Sequence, residues 1–229
     1  MVNFLPNLLD FTLPEMEAFI ASSGKEKFRA RQIMKWLHQS GSTSFDAMTT
    51  LSRNFRETLS ASARIRRPEI VKIQKSQDGT QKALLRLEDG LFIESVLIPG
   101  KSHWTICIST QAGCAMGCEF CLTARQGFKR NLTPAEIVGQ LITLKHETPE
   151  GATINNIVMM GMGEPLANYA NTLKSIQILT CDFGLGMSNR RITVSTCGLA
   201  PQIVQLGNDI CINLAVSLNA PDDETRNQL

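Results

Sequence analysis

The 229-residue chain is 43% hydrophobic and 19% charged and carries a formal net charge of +2. That is enough to bury a core in one large or two smaller domains, and too near neutrality to declare a nucleic-acid partner by charge alone. No stretch approaches the ~20 apolar residues a bilayer crossing needs, and Met1-Val2-Asn3-Phe4-Leu5-Pro6 has neither a basic start nor an apolar run, so the reading is a cytoplasmic protein with no membrane partner. Seven cysteines, three of them packed into eight positions, suit a reducing compartment better than a secreted disulfide framework.

In chain order, Thr12-Leu13-Pro14-Glu15 reads as a capping box opening a helix through Met16, Phe19 and Ile20 that Gly24 ends. A second helix follows from Phe28 to Gln39, where Ile33, Met34, Trp36 and Leu37 recur at helical spacing and Gly41 stops the pattern. Short segments at Phe45 to Met48 and Phe55 to Leu59 complete a small helical bundle. Residues 1 to 75 hold twelve Lys or Arg against seven Asp or Glu, a surplus of five that leaves −3 for the remainder. The clusters Lys25 to Arg31 and Arg64 to Arg67 are therefore candidates for contact with a phosphate backbone, the alternative being a solvated helix face and a domain junction.

The period then changes. Ile70 to Lys75, Ala83 to Leu87 and Leu91 to Ile98 read as strands joined at Asp78-Gly79 and Asp89-Gly90, both hairpin turn signals, and Pro99-Gly100 closes the meander. Beyond it strands at Thr105 to Thr110, Ile154 to Met160, Arg191 to Thr196 and Cys211 to Ser217 alternate with helical segments. One of those helices is opened by the capping box Thr133-Pro134-Ala135-Glu136 and carries Ile137, Val138, Leu141 and Leu144. Such alternation predicts an α/β fold with a parallel sheet, whose ligands gather at the carboxyl ends of the strands. The expected domains are 1–66, helical; 67–101, an antiparallel extension; and 102–229, four strand-helix units at about 30 residues each. The last, Asp222 to Leu229, reads as the first turn of a helix, so the sheet looks unfinished there.

Cys114, Cys118 and Cys121 lie in Gly-Cys-Ala-Met-Gly-Cys-Glu-Phe-Cys, a C-x3-C-x2-C spacing. A 4Fe-4S cluster usually takes four thiolates, so three from one loop leave an iron open. A structural zinc site would prefer paired C-x2-C knuckles and a fourth protein ligand, and no second knuckle follows. With Phe120 just before the last cysteine, the loop resembles that of the radical S-adenosylmethionine (SAM) enzymes, in which SAM chelates the open iron. Three further motifs follow in order: Met160-Gly-Met-Gly-Glu-Pro-Leu, Ile192-Thr-Val-Ser-Thr-Cys-Gly-Leu and Leu214-Ala-Val-Ser-Leu-Asn-Ala-Pro. Together with Cys114 to Arg130 they make the sequence, from about Leu13 to Leu229, resemble the amino-terminal part of the RlmN family of radical SAM RNA methyltransferases.

That resemblance implies an incomplete radical SAM barrel, methylation of adenine C2 in 23S rRNA and tRNA, a 4Fe-4S cluster on Cys114, Cys118 and Cys121, SAM, an electron donor such as flavodoxin, and a monomer. In such enzymes one SAM methylates a cysteine near the carboxyl terminus, and a radical from a second SAM takes a hydrogen from that methyl. The methylene adds to the base, and a second cysteine then resolves the adduct by forming a disulfide as a carboxylate removes the C2 proton. Cys107, seven residues before Cys114, matches the resolving cysteine, and Glu94, thirteen residues earlier still, the proton acceptor. Without the resemblance these are a buried thiol and an ordinary strand glutamate. Gly163 and Glu164 match the SAM-binding pair, where close backbone approach needs glycine and a carboxylate accepts from the ammonium. Ser195, Ser217, Leu218 and Asn219 fall at the other SAM contacts, Asn219 departing from the more usual histidine. Cys181, Cys197 and Cys211 match no motif and are expected to pack. The family's methyl-carrying cysteine has no counterpart in these 229 residues, so the chain is expected to bind the cluster and cleave SAM without completing transfer. Adenine C8 methylation of the Cfr type, a glycyl-radical activase and a non-enzymatic iron-sulfur or zinc module remain as alternatives.

Overall fold

The computed structural model describes residues 5–150 and 152–226. Leu8–Asp10 forms a 3-10 turn, and helix α1 (Leu13–Ser22) begins at the predicted capping box, with the Glu15 carboxylate accepting from the Thr12 N–H at 2.8 Å. Helix α2 (Phe28–Met34) runs on as a π turn, Lys35–Gln39, and together they span the single helix expected there. After a 3-10 turn at Phe45–Ala47, helix α3 (Arg53–Ser62) is capped by the Ser52 side chain, which accepts from the Phe55 N–H.

Strands β1 (Glu69–Lys75), β2 (Gln81–Arg86) and β3 (Phe92–Pro99) form the expected antiparallel meander. Next come β4 (Trp104–Cys107), the two-residue β5 (Gln111–Ala112), α4 (Leu122–Arg125), β6 (Arg130–Asn131) and α5 (Pro134–Leu144). Then β7 (Ile154–Met159), α6 (Tyr169–Thr180), β8 (Ile192–Thr196), α7 (Ala200–Asp209), β9 (Asn213–Val216) and α8 (Asp223–Arg226) alternate. The helical turn expected over Asp222 to Leu229 is met by α8, and Asn227, Gln228 and Leu229 lie outside the described residues.

Meander and parallel strands form one seven-stranded sheet in the order β1-β2-β3-β4-β7-β8-β9, antiparallel up to β4 and parallel from β4 onward. The predicted strand from Thr105 to Thr110 ends three residues early, at Cys107. Ile108 still bonds to Val158 and Gly161, and the chain then leaves the ladder because the Ser109 N–H and C=O are taken by the Gln140 side chain, while the Thr110 and Gln111 N–H groups both donate to the Met162 carbonyl.

One contiguous apolar core runs from Leu8 to Leu206. Its hub is α5, which is buried on nearly all sides: one flank meets the sheet, and its amino end receives Asp10, whose carboxylate accepts from the Ala135 N–H at 2.8 Å. The helical segment and the sheet thus share a core instead of touching at a linker. Among the described residues no helix is long and apolar enough to cross a membrane.

Candidate active site

Side chains alternate across a strand, and pairing carries the alternation from strand to strand. Ile93, Ser95, Leu97, Ile106, Ile157, Met159, Ile192 and Val194 point to the buried face, which Gln140 of α5 joins through Ser95. The opposite, open face carries Glu94 and Val96 of β3, Cys107 opposite Val96, Val158 opposite Cys107, Thr193 opposite Val158, and Ser195 two residues further along. Glu94, Cys107 and Ser195 therefore share one face of one sheet. Ser217, Leu218 and Asn219 follow β9, all exposed, with the Ser217 N–H bonded to the Thr196 carbonyl at 2.9 Å.

The cysteine loop leaves at the carboxyl end of β4. Its neck is the β5–β6 pair, and at Gly113, with φ +78°, a Cβ would overlap the Gly127 carbonyl, so only glycine lets the two limbs of the loop cross. Cys114, Cys118 and Cys121 are all partly exposed. Burial pushes the Cys114 thiol up, the Met116 backbone N–H pulls it down, and the charges of Cys118, Cys121 and Glu164 push it up again. Among the described residues no three His, Cys, Asp or Glu side chains converge as they would round a single ion. Three partly exposed thiols on one loop fit the donor set of a 4Fe-4S cube, which takes one thiolate per iron.

Facing the loop is the turn after β7. Gly163, at φ +98°, lies so close to Gln111 that a Cβ would overlap that side chain. Glu164 is buried, with one hydrogen bond on each carboxylate oxygen: its N–H donates to Gln111 Oε1 (2.9 Å), its Oε1 accepts from the Leu166 N–H (2.9 Å) and its Oε2 from the Cys197 N–H (2.8 Å), which leaves each oxygen a further lone pair. The Cys197 thiol, by partial burial first and then by the charge and hydrogen bond of Glu164, is pushed up to about 12. Burial likewise raises the Cys107 thiol, moderated by the Met160 backbone N–H.

Glu94 has Ile93 and Ser95 on the other face of the sheet, and its half-exposed carboxylate pairs with Lys82 of β2 at 3.0 Å. One expectation is corrected. Cys197 and Cys211 are exposed and so do not pack in the core, whereas Cys181 is partly buried against it. All seven cysteines are free thiols.

Sequence reasoning missed the residues that hold the site together. Ser109 Oγ donates to the Glu94 carbonyl (2.6 Å) and accepts from the Met162 N–H (2.8 Å), while Gln140 Oε1 accepts from both Ser95 Oγ (2.6 Å) and the Ser109 N–H (2.8 Å). Gln111 ties Glu164 to Asn131 at the loop neck. The available signal was Gln140 itself, a polar residue within the Ile137, Leu141, Leu144 stripe of α5.

A family model described as the radical SAM superfamily matches residues 108–229, and one described as the ribosomal RNA large subunit methyltransferase N-terminal domain matches residues 6–65. The dual-specificity RNA methyltransferase RlmN of Syntrophus aciditrophicus (strain SB) is 64% identical over 223 residues, covering 97% of this chain and 64% of that protein. Its namesake from Geobacter sulfurreducens is 50% identical over 218 residues, covering 95% and 59%. The crystal structure of a radical SAM methyltransferase from Sphaerobacter thermophilus superposes with a TM-score of 0.92 at 42% identity, over 98% of this chain and 67% of that one. The chain therefore spans less than two thirds of the length of these curated relatives. Helical segment, antiparallel strands and the parallel strands of a partial radical SAM barrel are all present, and the chain belongs to the radical SAM superfamily, within it to the RlmN family, of which it represents the amino-terminal part.

Proposed function

We propose that this chain is the cluster- and SAM-binding part of a radical SAM RNA methyltransferase acting on adenine C2 in 23S rRNA and tRNA. Cys114, Cys118 and Cys121 would hold a 4Fe-4S cluster. When bound, that cluster supplies an open iron to chelate SAM and one electron for its reductive cleavage. The chain's own residues hold and orient. Gly163, packed against Gln111, sets the turn that presents Glu164, Glu164 accepts from the SAM ammonium, and Ser195, Ser217, Leu218 and Asn219 line the strand ends where ribose and adenine would lie. Cys107 is the resolving thiol and Glu94 takes the C2 proton. The observation that carries this reading is Glu164, a buried carboxylate on the turn that Gln111 ties to the neck of the cysteine loop.

Within the proposal, residues 1–66 hold structured RNA by shape and phosphate contact, 67–101 extend the sheet and 102–229 carry the chemistry. Support comes from the exposed Lys25 and Phe28 of the helical segment, with the partly buried Arg29 lying 4.5 Å over the Phe28 ring. A flavodoxin-like donor would reduce the cluster of a monomeric protein. These 229 residues lack a cysteine in the methyl-carrying motif, so the chain alone would cleave SAM without methylating RNA.

Anaerobic reconstitution with iron and sulfide tests the metal assignment: about four irons per chain, lost in Cys118→Ala, is expected, and a single zinc would overturn it. Given reductant, SAM and adenine-containing RNA, the reconstituted chain should accumulate 5'-deoxyadenosine and no methylated base. Release of 2-methyladenosine would refute the stated limit on this chain, and 8-methyladenosine would transfer the assignment to the Cfr type.

A further inference from the structure

The open face of the sheet does not end at Cys107. Register carries it across β3, β2 and β1, where Leu84 lies opposite Glu94, Lys72 opposite Leu84, and Gln74 opposite Lys82. These five side chains line a hollow of about 210 Å³, beside the face that carries Cys107 and Ser195. Its charge is two ammonium groups against one carboxylate. Glu94 engages Lys82 at 3.0 Å, both side chains half exposed, while Lys72 has no ion-pair partner among the described residues. Nearby Arg86 is already paired with Glu69 at 2.7 Å and is not available. The larger cleft at the helical junction, about 490 Å³, balances four arginines against four carboxylates and so has no net call on an anion.

The pairing conflicts with the role of Glu94. A carboxylate that must accept a proton from the base needs an oxygen turned to the substrate, and here Lys82 holds one of the two, Oε1. An exposed pair of this kind is worth little and exchanges partners cheaply. A phosphate is the better acceptor for an ammonium, and Lys72 supplies a second contact on the same face.

We propose that Lys82 is handed from Glu94 to a backbone phosphate of the bound RNA, with Lys72 beside it, so that substrate binding itself frees the carboxylate. Lys82 is then a positioning residue acting through Glu94, and the hollow is a phosphate subsite. This rests on the RNA-binding reading above. It explains why the carboxylate is tied up in the free protein, and it delays exposure of the base until RNA is seated.

The test is a fluorescein-labelled RNA stem-loop with an adenosine in its loop, titrated by anisotropy at several salt concentrations against the full chain and three variants. Lys82→Met should weaken binding severalfold and lower the log–log salt slope by about 0.7, one single-strand phosphate contact. Glu94→Gln, which releases Lys82 in advance, should tighten binding about fivefold, the upper range for an exposed pair. In the double variant that gain should vanish, leaving the affinity of Lys82→Met alone. If Glu94→Gln tightens binding equally with and without Lys82, general relief of negative charge is at work and the hand-over is wrong. If wild type binds and no variant shifts affinity, the subsite is wrong while the RNA reading stands; if wild type does not bind at all, both fall.

Discussion

Gly163 is the residue with the least freedom to change. Its φ of +98° and its contact with Gln111 leave no place for a side chain, so Gly163→Ala should cost about 1–3 kcal/mol of stability and weaken SAM binding more than tenfold, read by urea denaturation and calorimetry. A stable variant with unchanged SAM affinity would remove this turn from the cofactor site. His38 makes a second residue-scale case. It is buried with neither ring nitrogen hydrogen-bonded, and burial, followed by the Lys145 charge, lowers it to about 4. The unfolded chain takes up the proton near 6.5 and the folded chain only near 4, so the unfolded state binds more protons between those values and stability falls as pH drops through that window. From pH 7 to 5 the loss from this group should approach 2 kcal/mol, and His38→Leu should flatten that part of the urea-denaturation profile. Equal slopes for wild type and variant would show that the ring is not held neutral.

Among the elements, α5 does the most to shape the site. Through Gln140 it fixes the end of β4 and, through Ser109, the backbone of Glu94. Gln140→Leu would strand the Ser95 hydroxyl and the Ser109 N–H and C=O in the core, at about 3 kcal/mol, with a matching drop in the urea midpoint; a loss under 1 kcal/mol would mean that the network re-pairs elsewhere. The same helix shows what is legible in a sequence. Its capping box, Thr133 with Glu136, is written in four consecutive residues and was readable, as were the hairpins at Asp78-Gly79 and Asp89-Gly90. The end of β4 was not, because what stops the strand is a side chain thirty-one positions away. The partner of Glu94 was not legible for a related reason: Lys82, which meets it, belongs to another strand.

At the scale of the whole molecule, the helical, antiparallel and parallel parts were legible from periodicity, and the placement of four motifs at successive strand ends was legible from the α/β rule. The sharing of one sheet and one core between those parts was not, since Pro99-Gly100, which reads as the close of the meander, instead turns β3 straight into β4, and nothing local in the sequence inserts Asp10 at the start of α5. Sequence likewise gave the cysteine loop but not its neighbour Cys197, which pairing of β8 with β7 brings to Glu164. The account of the molecule depends on the cysteine loop and the Gly163-Glu164 turn acting together, one holding iron and the other holding what the iron grips. Electron paramagnetic resonance of the anaerobically reconstituted, dithionite-reduced chain tests this most directly. A 4Fe-4S signal whose g values shift on adding SAM, with the shift lost in Glu164→Gln, is the predicted result. A colourless protein, or a cluster signal that SAM leaves unaltered, would contradict it.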